Sequence, residues 1–185
     1  GGAGTTISVL YNSGSGVYPL RSDFPTGGNV PNGIALGDVD NDGDLDVVVT
    51  NNGSNNVAVL LNNGKGGFAA PLILAGGWTT PTSLALGDID ADGDLDLVVA
   101  DVSGNTVEVR LNNGVGNFAA MASGSPFSVP TVSNSAEMVV LADFDGDGDL
   151  DLAIAGNGSA NVTVRLNNGA GDFSGVSSGS PFATG

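Results

Sequence analysis

Residues 37–68 read GDVDNDGDLDVVVTNNGSNNVAVLLNNGKGGF, and both halves of this stretch recur. The first half returns as GDIDADGDLDLVV from Gly87 and as ADFDGDGDLDLAI from Ala142. The second half, NVAVLLNNGKGGF from Asn56, returns as TVEVRLNNGVGNF from Thr106 and NVTVRLNNGAGDF from Asn161. A weaker copy, TISVLYNSGSGVY, begins at Thr6. Both motifs step by 50 residues and then by 55. Two different motifs that hold one spacing define a repeat, and the fold must be read from the repeat unit.

Each unit predicts four short strands. Ile34-Ala35-Leu36 precedes the acidic loop. Leu45 to Thr50 follows it as an almost unbroken apolar run, as in a strand buried on both faces. Val57, Val59 and Leu61 then alternate, as do Val107, Val109 and Leu111 against Glu108 and Arg110. Asn-Asn-Gly at 62–64, 112–114 and 167–169 is a hairpin signal, and a fourth strand is expected from Phe68 to Ala75. No segment has a helical period. The expected fold class is all-β, with propeller-type blades of four antiparallel strands. Residues 1–30 form an N-terminal half-blade, followed by repeats at 31–80, 81–135 and 136–185. The alternative is an open β-repeat array.

Composition narrows the functions. Of the 185 residues 41% are apolar, which suits a folded chain, and 31 are glycine, which suits many tight turns. Twenty acids against four bases give a net charge of −16. Nucleic acid and anionic membrane surfaces are poor partners for such a chain, because both demand clustered Lys and Arg. No apolar run approaches the ~18–20 residues of a membrane helix. Without Cys or His, thiol chemistry, disulfides, His-based triads and nearly all zinc sites are excluded.

Fifteen of the twenty acids lie in three aligned loops: Asp38, Asp40, Asp42, Asp44 and Asp46; Asp88, Asp90, Asp92, Asp94 and Asp96; Asp143, Asp145, Asp147, Asp149 and Asp151. Five carboxylates within nine residues repel one another unless a cation neutralises them. Hard oxygen donors without nitrogen or sulfur point to Ca²⁺, which takes ~6–8 oxygens, and three such sites are expected. Positions 1, 3 and 5 supply carboxylates, glycine at position 6 allows the turn, position 7 offers its carbonyl, and position 9 closes the cage. The loop is not an EF-hand. That loop needs an acid at position 12, where this chain has Val49, Val99 and Ile154. Leu45, Leu95 and Leu150 are expected to anchor the loops in the core.

The order of acidic loop, apolar strand and Asn-Asn-Gly-x-Gly-x-Phe resembles the FG-GAP or VCBS-type repeat. Such repeats build the propellers of integrin α subunits and of many bacterial surface proteins. The resemblance covers residues 31–173 well and 5–26 in part. It implies a calcium ion in the hairpin between the first two strands of each blade. The ligands would be the aspartates named above, with Asp44, Asp94 and Asp149 giving main-chain oxygen. The Phe-Gly and Gly-Ala-Pro of the family name are degenerate here, as Phe68-Ala69-Ala70-Pro71. Propellers of this type carry about seven blades, against three and a half here. The expectation is that more chain, or another copy of it, continues the array past the open edge of Ile7–Tyr11 and the last blade.

No catalytic constellation is present. Gly64-Lys65 lacks the Ser or Thr of a phosphate loop, and Arg21, Lys65, Arg110 and Arg165 are scattered. The reading is therefore of a chain that is not an enzyme. Trp78, the sole Trp, is expected to pack between blades rather than stack on a sugar. Phe68, Phe118 and Phe173 recur with the repeat and read as core. Arg110 and Arg165 are expected on outward faces as solvated pairs with Glu108 and Thr163. Asn52, Asn157 and Asn161 begin N-glycosylation patterns, and the Ser/Thr-rich stretches 79–83, 123–135 and 174–184 could carry O-glycans. Together these readings describe a calcium-stabilised extracellular structural or adhesion module, part of a longer array or a surface filament. Its partners would be neighbouring repeats or further copies of the chain. The alternative is a lectin-like propeller face that binds glycans or surface proteins.

Overall fold

A computed structural model describes residues 4–129, 135–156, 161–177, 180 and 182–183. Asn157 and parts of the 123–135 and 174–184 stretches lie outside the described residues. Four antiparallel sheets follow one another along the chain. β1 (Thr6–Tyr11) pairs with β2 (Leu20–Pro25). The first full blade runs in order β3 (Pro31–Gly37), β4 (Asp46–Asn51), β5 (Asn56–Leu60) and β6 (Leu72–Leu74). The second is β7 (Pro81–Gly87), β8 (Asp96–Asp101), β9 (Thr106–Leu111) and β10 (Ala120–Met121), with β11 (Phe127–Ser128) also on β9. The third is β12 (Ala136–Ala142), β13 (Asp151–Gly156), β14 (Asn161–Leu166) and β15 (Gly175–Val176), with β16 (Phe182–Ala183) on β14. Among the described residues the one helical element is a 3-10 turn, Asn52–Ser54.

The fourth strand is shorter than the sequence predicts. Only Leu72–Leu74 pairs with β5, and Phe68 makes a single bridge to Asn62. The Asn-Asn-Gly turn consumes the rest. The Asn63 N–H donates to the Gly67 carbonyl, and the Asn63 side-chain oxygen accepts from the Lys65 and Gly67 N–H groups. These local bonds compete with the ladder and set a wider loop than a two-residue hairpin.

The blades stack face to face, and the core lies between them. Val39, Val48, Val57 and Val59 of the first blade meet Leu84, Leu97, Val99 and Phe118 of the second. Ile89, Val98, Val107 and Val109 of the second meet Val139, Leu152, Ile154 and Phe173 of the third. Ile7 and Phe24 of the half-blade cover Val47, Val49, Ala58 and Leu60, with Phe24 edge-on to Phe68 at 4.9 Å. The second strands of the first and second blades are thus buried on both faces, which is why they read as continuous Val and Leu, whereas β13 of the third blade is only partly covered.

This sandwiching overturns the solvated reading of Arg110. Its guanidinium is buried, donates from Nε to Glu108 at 2.5 Å and stacks 5.2 Å from the Trp78 ring. Trp78 is itself buried between blades. A strand covered on both sides has no outward face, so the polar residues of β9 pair internally. Arg165 is half-buried and lies 5.2 Å over Phe127, while Thr163 is buried. The loop leucines divide too. Leu95 and Leu150 pack against Gly37 and Gly87 of the preceding blade, where a Cβ would come within 2.6 and 2.7 Å of the leucine methyls. Leu45 does not anchor its loop in the core and is 59% exposed, because the half-blade carries no strand there for it to meet.

Candidate metal centre

Each acidic loop joins the first two strands of a full blade, between β3 and β4, β7 and β8, and β12 and β13. The glycines at position 6, Gly43, Gly93 and Gly148, have φ of 92°, 95° and 99°. That left-handed geometry closes the turn and strains any residue with a Cβ. Main-chain N–H groups then fold onto the first carboxylate. Asp38 accepts from Asp42 at 3.1 Å and Gly43 at 2.9 Å; Asp88 accepts from Gly93 at 3.1 Å; Asp143 accepts from Gly146 and Gly148 at 2.7 and 3.1 Å.

Three carboxylates converge in every loop, each with an oxygen within 4.8 Å of the others: Asp38, Asp40 and Asp42; Asp88, Asp90 and Asp96; Asp143, Asp145 and Asp151. Asp42 in the first loop takes the place that Asp96 and Asp151 hold in the others. The position-7 carboxylates of Asp44, Asp94 and Asp149 lie against Gly64, Gly114 and Gly169, and Asp94 accepts from the Asn41 side chain at 2.8 Å. Their side chains lie over the neighbouring turn, which leaves the main-chain oxygen for a ligand set.

The position-9 carboxylates are fully buried and spend both oxygens on main-chain donors. Asp46 accepts from Val39 and Asn62 at 2.9 and 2.7 Å. Asp96 accepts from Ile89 and Asn112 at 2.9 and 2.8 Å. Asp151 accepts from Phe144 and Asn167, both at 2.9 Å. Burial raises the Asp96 carboxyl to about 6 against the pull of those two N–H groups, and the charges of Asp90 and Asp92 push the same way. Burial likewise raises Asp40, with repulsion from Asp46 and Asp42 behind it, and Asp90, with Asp92 behind it. Asp145 is raised by desolvation within its loop and by Asp147.

The first two loops fit a cation on one further observation. Asp40 Oδ1, Asp88 Oδ1 and Asp90 Oδ1 are buried and have no hydrogen-bond donor. A buried carboxylate oxygen without a donor is costly, and an ion at the centre of the group satisfies it. An all-oxygen donor set of carboxylates and carbonyls suits Ca²⁺.

The sequence reading missed the first residue of each Asn-Asn-Gly. Asn112 Nδ2 donates to Leu95 O in its own acidic loop at 3.1 Å and to Val39 O in the preceding loop at 2.8 Å. Asn167 repeats the arrangement, to Leu150 O at 3.2 Å and Ile89 O at 2.8 Å. Asn62 donates to Leu45 O at 3.0 Å, with no preceding acidic loop beyond it. The recurrence of these asparagines was legible, but their span from blade to blade was not.

Four-stranded blades stacked face to face, each with an acidic loop between its first two strands, define a β-propeller-type repeat. The family model described as FG-GAP-like repeat matches residues 38–99 and 88–154, and the chain belongs to that family. A lectin of Agrocybe aegerita, solved for its specific recognition of non-reducing terminal N-acetylglucosamine, superposes with a TM-score of 0.55 at 32% identity. The match covers 76% of this chain and 36% of the lectin, so the chain spans little more than a third of that protein. A comparison with curated protein sequences returned no match.

Proposed function

We propose that the chain is a calcium-stabilised, non-catalytic structural or adhesion module that works outside the cell. The observation that carries this reading is the set of donor-less buried oxygens on Asp40, Asp88 and Asp90, inside loops where the carboxylates converge. Three ions, one per loop, would be held by Asp38, Asp40 and Asp42, by Asp88, Asp90 and Asp96, and by Asp143, Asp145 and Asp151. Each ion that binds only the folded chain adds RT ln(1 + [Ca²⁺]/Kd), about 2.7 kcal/mol at a hundredfold excess. Millimolar calcium outside cells fills sites of modest affinity, which supports the extracellular assignment. Calorimetric titration should find three ions per chain, and chelator should lower Tm by well over 10 °C. A flat titration or an unmoved melt overturns calcium stabilisation.

The uncovered inner strands support continuation of the stack by further repeats or copies. A second reading, glycan recognition, is favoured by the likeness to the N-acetylglucosamine-recognising lectin. Two rim clefts between blades offer room for a sugar. One, of about 300 Å³, is lined by Leu72, Arg110 and Phe118; the other, of about 260 Å³, by Phe127, Arg165 and Phe173. Titration with N-acetylglucosamine and a glycan array test it, and absence of binding at millimolar sugar removes it.

A further inference from the structure

The hydrogen bonds around the acidic loops join into one line that crosses all three full blades. The Asn62 and Val39 N–H groups bind Asp46. The Val39 carbonyl accepts from Asn112 Nδ2 at 2.8 Å and from the Gly116 N–H at 2.8 Å. The Asn112 and Ile89 N–H groups bind Asp96. The Ile89 carbonyl accepts from Asn167 Nδ2, and the Asn167 and Phe144 N–H groups bind Asp151. A peptide unit of one loop and an amide of the next thus alternate with the three buried carboxylates. Asn112 and Asn167 are themselves buried, so water does not replace a lost bond there.

We infer that Asn112 and Asn167 are positioning residues that couple the acidic loops, so that an ion held in one blade raises the affinity of the next. This rests on the calcium reading above. The loop is the element an ion would bias: its clustered carboxylates repel one another, and a cation between them relieves that repulsion. A loop drawn together fixes the Val39 or Ile89 carbonyl. That carbonyl holds the next asparagine amide, whose main-chain N–H orients Asp96 or Asp151, each a member of its own ion-binding group. The ordering cost of the second loop is then partly met by the first, which is positive cooperativity without a change of shape. The coupling is reciprocal, since each loop orders the other through the same amide. A direct contact runs beside it between the first two loops, from Asn41 Nδ2 to Asp94.

The molecule contains its own control. Asn62 makes the equivalent bonds within its blade, to Leu45 O and Asp46, and among the described residues it reaches no second acidic loop. Calcium uptake by the full chain is followed calorimetrically and by near-ultraviolet circular dichroism in calcium buffers. The wild-type chain should take up three ions with a Hill slope clearly above 1, bounded by the number of sites. Asn112→Ala should lower the slope, leaving only the coupling of the second and third loops, and weaken the paired sites about fivefold or more. Asn167→Ala should likewise lower it by uncoupling the second and third loops. Asn112→Ala with Asn167→Ala should bring the slope close to 1. Asn62→Ala should weaken one site and leave the slope of the others intact. Three ions bound with a slope of 1 in the wild-type chain overturn the coupling and leave calcium binding standing. Equal loss of slope in Asn62→Ala and Asn112→Ala also overturns it, since a merely structural asparagine acts the same in any blade. No uptake by the wild-type chain defeats the calcium reading itself. Should Asn112→Ala not fold, Asn112→Gln, which keeps the donors and displaces them, carries the same test.

Discussion

The second blade and the two full blades beside it are built from one repeat, yet they present different surfaces. Leu84 on β7 is 8% exposed; Ile34, at the same place on β3, is 56% exposed. On the other face Ser83 and Ala85 are half-buried, whereas Met138 and Val140, their counterparts on β12, are exposed. Val39 and Ile89 are fully buried, and Phe144 at the same loop position is 49% exposed. Burial here is a property of having a neighbour and not of the repeat. That is the energetic signature of a stack in which each unit is completed by the next.

The sharpest test of this difference truncates a large apolar side chain in each place. Phe118→Ala, at the joint of the first and second blades, should cost about 3–5 kcal/mol, the range for a buried aromatic. Leu36→Ala, on the uncovered face of β3, should change stability by no more than about 0.5 kcal/mol. Urea denaturation in calcium measures both, and equal losses would dissolve the comparison.

The arginines sharpen it further. Arg110→Ala strands the buried Glu108 carboxylate and should cost about 3 kcal/mol or more. Arg165→Ala should cost less than half as much, because its strand neighbour Thr163 carries no charge. Thermal melts of the two variants should keep that order.

Asp101 offers a pH test within the second blade. Burial works to raise its carboxyl, but N–H groups of Thr79, Thr80 and Gly104 and the Thr79 hydroxyl outweigh burial and hold it below the usual carboxylate range. A depressed folded-state pKa means stability that is present above the unfolded value of about 4 and lost as pH falls through the lower folded one. Asp101→Ala should cost about 2 kcal/mol at pH 7. Its stability should also fall less steeply than the wild type's below pH 4. Parallel acid limbs would place the acid sensitivity elsewhere.

The smallest effects belong to the open faces. Leu36→Asp and Phe144→Asp should leave Tm within about 2 °C and lower any concentration-dependent association seen by sedimentation. A large drop in Tm would mean that these faces are covered within the monomer.

Most of the fold was legible because period and spacing survive in the sequence. The 50- and 55-residue steps, the acidic loops and the valine-rich second strands each state a blade. What escaped were the relations between blades. Glu108 and Arg110 alternate with valines as a half-exposed strand would, and only the stacked neighbour carrying Trp78 turns that alternation inward. Phe68 to Ala75 has strand composition, but the Asn63 side chain takes the Lys65 and Gly67 N–H groups into the preceding turn, and only Leu72–Leu74 joins the ladder. Asn112 and Asn167 carry a local turn signal in Asn-Asn-Gly, while their partners Val39 and Ile89 lie 73 and 78 residues away. The candidate site was legible as three clusters of aspartate. The distinction between oxygens left without donors and those engaged by N–H groups was not, because it depends on which main chain faces which carboxylate.

Gly37 and Gly87 each leave a hollow the size of a methyl group, and the leucine of the following loop fills it. The third repeat has Ala142 at that place, so its hollow is already plugged. Any blade that settles on the third must swing its leucine aside or carry a slimmer residue there. A joint formed on the open face of the third blade would therefore be keyed differently from the two between the full blades.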